Sequence, residues 1–214
     1  MRERTRLLYA ALAATALCAP ASAIEIIGNM PGNDGTSTFM NAPGGGSNGG
    51  GVFDSKAAGF TMPGGLDYTL DFMTLRLEYF TSDSVPMIEL YSDAGGPSTL
   101  IHTLSAGPVV VGIDNFVFTP TSTVTLSAAT TYWMVVWNNA SVANSFRWLA
   151  STPSQAPTGI ATNAGYRFSN GGPPPTGNST TLNTYSVNAT VVPEPATMAA
   201  LGLGALALVR RRRR

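Results

Sequence analysis

The chain has 214 residues with twelve basic and twelve acidic side chains, a formal charge of zero that hides an uneven distribution. Eight of the basic residues lie at the two ends, so the stretch from Ile24 to Val192 holds four basic residues against ten acidic ones. A domain of that sign repels phosphate backbones, which excludes nucleic acid as a partner. Glycine and proline are abundant (23 and 15 residues) and the chain has a single lysine, Lys56, so turn and strand-edge chemistry dominates over helix formers. The one cysteine, Cys18, lies near the N-terminus in a stretch that reads as removable, leaving the remainder without a disulfide, a thiol nucleophile or a thiolate metal site.

Residues 1–23 have the three parts of an export signal. Arg2, Arg4 and Arg6 are a positive leader, Leu7 to Leu17 is an apolar run, and Ala21-Ser22-Ala23 offers small side chains at Ala21 and Ala23, the two positions that signal peptidase reads. Cleavage is expected before Ile24. The apolar run is too short to span a bilayer comfortably, and Leu17 is too bulky for Cys18 to sit in a lipoprotein motif.

Residues 24–65 read as a glycine-rich N-terminal segment, with Gly44 to Gly51 unable to bury enough apolar surface to offset its ordering entropy. From Leu66 to Val192 the pattern predicts one β-domain, with an alternative start near residue 52. Strands are expected at Thr69 to Tyr79, with a break in phase near Met73, and at Met87 to Tyr91, ended by a turn over Ser92 to Pro97. Others are expected at Thr99 to Leu104, Asn115 to Thr119, Ser122 to Leu126, Thr131 to Trp137, Ser145 to Ala150, Gly165 to Phe168 and Thr184 to Val192. Short strands bounded by Gly, Pro, Asn or Asp, with no helical period, predict an all-β antiparallel sandwich or jelly roll. Thr131 to Trp137 is apolar on both faces and is expected to be central.

The chain closes on Pro193-Glu194-Pro195, an apolar run from Ala196 to Val209, and Arg210, Arg211, Arg212, Arg213 and Arg214. Fourteen helical residues rise about 21 Å, short of the roughly 30 Å hydrocarbon core. Snorkelling arginine stems bring the run close to spanning. Five arginines resist translocation, so within residues 193–214 the run from Ala196 to Val209 reads as a short transmembrane helix with its C-terminal end on the cytoplasmic side. The two prolines keep the preceding segment extended and open to a protease.

These three parts in this order resemble the PEP-CTERM sorting signal. The resemblance implies recognition by an exosortase, cleavage near Pro193 to Pro195, a membrane-held intermediate, and export to the cell surface or beyond in a bacterium that makes exopolysaccharide. A second resemblance covers roughly residues 52–190. Tyr68-Thr69-Leu70 leading to Leu75-Arg76-Leu77, Glu89 to Asp93, Leu126 to Val136 and Arg147-Trp148 resemble a choice-of-anchor β-domain of type R. It implies a fold and carries over no catalytic residues.

Candidate chemistry in the middle of the chain is sparse. His102, the only histidine, lies in an alternating strand without a second histidine to form a metal or catalytic site. No nucleophile elbow, phosphate loop or zinc spacing is present. Asp34, Asp83 and Asp93 sit in turns, where carboxylates cap backbone amides, without the spacing of a calcium loop. Asp67, Asp71, Glu78 and Glu89 could supply a glycosidase pair only in the sense that any ten acids could. Asn139, Asn178 and Asn188 open glycosylation sequons at a frequency expected of an Asn/Thr-rich chain. The aromatic concentration is Tyr132, Trp133, Trp137, Phe146 and Trp148; Tyr132, Trp133, Trp137 and Trp148 are candidates for stacking on sugar rings, against the alternative that they fill the core. The expectation is therefore a non-enzymatic, exported structural or adhesive protein that needs no cofactor or metal. Its expected partners are signal peptidase, exosortase and the membrane. Its rivals are a module that binds exopolysaccharide and, behind it, a glycan hydrolase.

Overall fold

In the computed structural model, residues 22–41, 54–80, 86–107, 110–139 and 146–193 are described. The export signal up to Ala21, the Gly44 to Gly51 run, Glu194, Pro195, the apolar run and the five arginines lie outside them. Among the described residues none is helical, and no helix is long and apolar enough to cross a membrane. The sheet-bearing unit runs from Ala23 to Thr190.

Among the described residues fourteen strands build it: β1 (Ile24–Gly28), β2 (Thr36–Met40), β3 (Ser55–Thr61), β4 (Tyr68–Tyr79), β5 (Pro86–Asp93), β6 (Pro97–Ala106), β7 (Gly112–Pro120), β8 (Thr125–Leu126), β9 (Thr131–Asn138), β10 (Phe146–Ala150), β11 (Thr158–Gly159), β12 (Thr162–Ser169), β13 (Gly177–Asn178) and β14 (Tyr185–Val191). They form one sheet in the order β11-β1-β14-β4-β7-β6-β5-β9-β3-β12-β13, with β10 bridging β2 and β4, and β8 beside β4. The pairings between strands are antiparallel. The expected all-β antiparallel class is what the described residues adopt. Its sandwich arises by the curling of one continuous sheet, so that Tyr166 of β12 meets Tyr185 of β14 with ring centroids 6.4 Å apart.

Side-chain periodicity explains the layers. β4 buries Tyr68 and Leu70, then shifts phase and buries Met73, Leu75, Leu77 and Tyr79, because its first part pairs with β8 and its second with β7 and β10. β9 lies between β5 and β3 and is buried on both faces from Tyr132 to Val136. The β5–β6 turn is held by the Asp93 carboxylate, which accepts hydrogen bonds from the amides of Gly95 (3.2 Å) and Gly96 (2.9 Å). The same rule places Thr38 and Met40 of β2 on the face opposite Phe39.

The segment 24–65, read from the sequence as a glycine-rich lead-in, contributes β1, β2 and β3 to this sheet. β1 pairs with both β11 and β14, and β3 fills the position between β9 and β12. These strands escape detection for physical reasons. A bulge between Glu25 and Ile27 buries Ile26 and Ile27 together, which breaks alternation, and β3 is built largely from small residues.

Candidate functional site

The four aromatics singled out from the sequence do not line up. Trp148 is fully buried, donates from Nε1 to the Thr184 carbonyl at 2.9 Å and packs edge-on against Tyr185. Tyr132 is buried on one face of β9, its ring beside Phe60 and its hydroxyl accepting from the Ser127 amide at 2.9 Å. Trp133 and Trp137 lie on the opposite face. Trp133 is 2% exposed and joins Tyr91, Val135 and Ala57 in an apolar cluster against which the half-buried Trp137 packs. Their indole N–H groups donate to carboxylates, Trp133 to Asp93 at 2.7 Å and Trp137 to Glu89 at 2.9 Å. Glu89 also accepts from the Tyr91 hydroxyl at 3.0 Å, and burial together with this carboxylate pushes the Tyr91 phenol up to about 12. A buried indole usually finds a partner for its ring N–H, and these carboxylates supply it on this face of β9.

The remaining acids are engaged separately. Asp34 forms a two-pronged ion pair with Arg76 (3.1 and 2.8 Å), Asp67 accepts from the Ala128 amide, Asp71 accepts from Thr190, and Glu78 pairs with Arg147 at 3.1 Å. Asp83 lies outside the described residues. His102 is half-buried, and its Nε2 accepts from the Thr121 amide at 3.1 Å. Among the described residues no three His, Asp or Glu side chains come together as a metal site. Ala23 and Pro193, of the two expected cleavage sites, are exposed.

What the structure does bring together centres on β2, a strand the sequence did not single out. The register sets Phe39 of β2 beside Arg147 of β10, and Arg147 beside Glu78 of β4, all on the outward face. Phe80, next along from β4 and two residues past Glu78, joins them. Phe39 is 44% and Phe80 is 40% exposed, and their rings are stacked with centroids 6.2 Å apart and planes tilted by 23°. The Arg147 guanidinium carbon sits 4.4 Å from the Phe39 ring and 4.8 Å from the Phe80 ring, within cation–π range of both. Glu78 holds it in place.

Phe39 also borders an open cavity of about 440 Å³. Its walls are hydroxyls and amides, among them Thr38, Asn41, Asn178 and Thr180, with one acid, Asp54, and one base, Lys56. Lys56 is 1% exposed. Its Nζ donates to the Thr181 carbonyl (2.8 Å) and the Thr38 hydroxyl (3.2 Å) and lies 5.8 Å from the Tyr166 ring, and none of the ion pairs among the described residues includes it. Loss of water around an uncompensated ammonium favours the neutral amine, which lowers its pKa to about 7. Asp54 moves the other way: burial raises it, opposed by a 2.5 Å hydrogen bond from the Asn41 amide. The Thr38 hydroxyl also meets the buried Asn183 amide, which donates in turn to the Trp148 carbonyl. The cavity wall is therefore tied to the core. The available sequence signal was the lone lysine in Ser55-Lys56-Ala57-Ala58, a charge placed in a small-residue strand.

Comparison with known proteins bears on one end of the chain. Residues 191–214 match the family described as the PEP-CTERM protein-sorting motif. No curated protein matches the chain. The chain thus carries a PEP-CTERM sorting motif behind an antiparallel β-domain, and the motif implies an exosortase as its processing partner.

Proposed function

We propose that this is an exported surface or extracellular-matrix protein, cut in its tail by an exosortase, whose β-domain serves a structural or adhesive role without catalysis. The observation that carries the reading is the sorting motif at residues 191–214. A Pro-Glu-Pro element, a short apolar helix and an arginine cluster would hold the cleavage segment at the outer membrane face, while the leader ending at Ala23 would deliver the domain there. The choice-of-anchor resemblance fits a β-domain carried on an exchangeable sorting tail. The decisive experiment compares the C-terminus of the mature protein, by mass spectrometry, in cells with and without an exosortase. Cleavage near Pro193 to Pro195 only when the enzyme is present supports the proposal; an intact tail in both overturns it in favour of a plain membrane anchor.

A second reading, binding of a polysaccharide, is favoured by the exposed Phe39 and Phe80 pair. Adjacent rings on a sheet face offer apolar area to the C–H faces of sugars, and the hydroxyl- and amide-lined cavity beside Phe39 matches the hydroxyls of a sugar. The stacking surface in this reading is Phe39 and Phe80, in place of the buried Tyr132, Trp133 and Trp148. A glycan array probed with the exported protein and with Phe39→Ala tests it: signal lost on substitution supports the platform, and an array without signal removes it.

A further inference from the structure

We infer that the cavity beside Phe39 receives a carboxylated sugar unit, a hexuronate, with Lys56 as the cation that selects it. The inference rests on the saccharide reading above and narrows it to one chemical class. The volume of about 440 Å³ lies within the range of small-ligand sites and accommodates one or two sugar units. Its hydroxyl and amide walls can both donate and accept, as sugar hydroxyls require.

Lys56 distinguishes this cavity from a generic polar cleft. A buried ammonium without a counter-ion is costly, and in the described structure its hydrogen bonds go to a hydroxyl and a carbonyl, not to a carboxylate. Those two acceptors use two of its three N–H donors, leaving one for a ligand oxygen. An incoming carboxylate would supply the missing charge, and a charge-assisted hydrogen bond in such surroundings is stronger than a neutral one. The lowered proton affinity of the amine follows from the same imbalance, a buried positive charge bonded to no carboxylate. Asp54 in the same wall disfavours a doubly charged phosphate more than a singly charged carboxylate, while its oxygens can accept sugar hydroxyls. Phe39 and its neighbour Thr38 both border the cavity from opposite faces of β2, so Phe39 would offer its ring at the rim while Thr38 holds Lys56.

The test is calorimetric titration of the exported protein with a panel of oligo-uronates (galacturonate, glucuronate and mannuronate), their methyl esters, and inorganic phosphate. The expected result is that at least one acid binds roughly tenfold to a hundredfold tighter than its own ester. Lys56→Met should abolish that difference and leave ester binding in place, with a preserved melting transition as the control for folding. Phe39→Ala should weaken acid and ester alike. The comparison of acid with ester on the unsubstituted protein keeps the inference testable even if Lys56→Met does not fold. Equal binding of acid and ester overturns the role of Lys56 and leaves the saccharide reading standing. Absence of binding to every acid and ester overturns both. Displacement of the acid by phosphate at equal concentration overturns the carboxylate class in favour of a general anion site.

Discussion

Gly59 of β3 lies directly opposite Trp133 of β9, and a Cβ at Gly59 would sit 2.8 Å from the indole ring. The ring occupies the space that any other residue would fill with its side chain. Trp133 is buried and anchored at Nε1 by Asp93, so it has little room to withdraw. Gly59→Ala is therefore expected to destabilise the domain by about 1–3 kcal/mol, the range for overpacking a filled core. Urea denaturation followed by tryptophan fluorescence measures it, and unchanged stability would show that the ring moves freely.

Lys56 should leave a mark on the pH dependence of stability. Its pKa is about 7 in the folded chain against 10.5 unfolded, so between those values the unfolded chain binds more protons. Stability then rises with pH from about 7 upward, and below 7 the penalty is complete and constant. Near pH 10 the trend reverses, because burial raises the phenols of Tyr79, Tyr166 and Tyr185 above their ordinary value of 10.0 and the unfolded chain ionises first. Lys56→Met should remove the rise between pH 7 and 10 and add on the order of 3–5 kcal/mol at pH 6, less the two hydrogen bonds lost. Chemical denaturation at a series of pH values checks both; a flat profile for the unsubstituted protein would refute it.

The leader makes a covalent prediction. Small side chains at Ala21 and Ala23 place the scissile bond before Ile24, so intact-mass measurement of exported protein should give Ile24 as the first residue. A chain beginning at Met1 or Cys18 contradicts this.

The two parts of the tail should fail differently. Replacing Arg210 to Arg214 with alanine removes the barrier to translocation, roughly 2.5–3.5 kcal/mol for each arginine forced to the membrane centre. Full-length protein should then appear outside the cell. Glu194→Ala should leave membrane insertion intact and block cutting, so uncut protein accumulates in the membrane fraction. Immunoblots of membrane and medium fractions separate the two; identical behaviour of both variants would mean that the segment is not read as a motif.

Local pattern reaches far in this chain, and its failures have causes. The phase break at Met73, the central position of β9 and the Asp93 turn all arise from neighbours in sequence and were legible. β3 was not, because its burial reflects what lies across the sheet: Ala57 and Gly59 are small to admit Val135 and Trp133. The sequence left the aromatics open between core and stacking surface for a related reason. Periodicity tells that both faces of β9 are covered, but which ring meets solvent depends on partners such as Glu89 and Asp93, distant along the chain. Phe39 and Phe80 are far apart in sequence, and only the registers of β2 and β4 on β10 set them beside Arg147.

The pairing of β1 with β14 sets Ile24 opposite Ala189, the first strand of the domain against its last. A chain crossing a membrane from its N-terminus must hold β1 without its partners β11 and β14 until most of the domain has emerged. Closure of the sheet is then among the last events of transit, and it waits on residues only a few positions ahead of Pro193. The arrival of the sorting motif and the completion of the fold coincide in time, so a protein that stalls early in export presents β1 as an open edge, available to quality-control proteases.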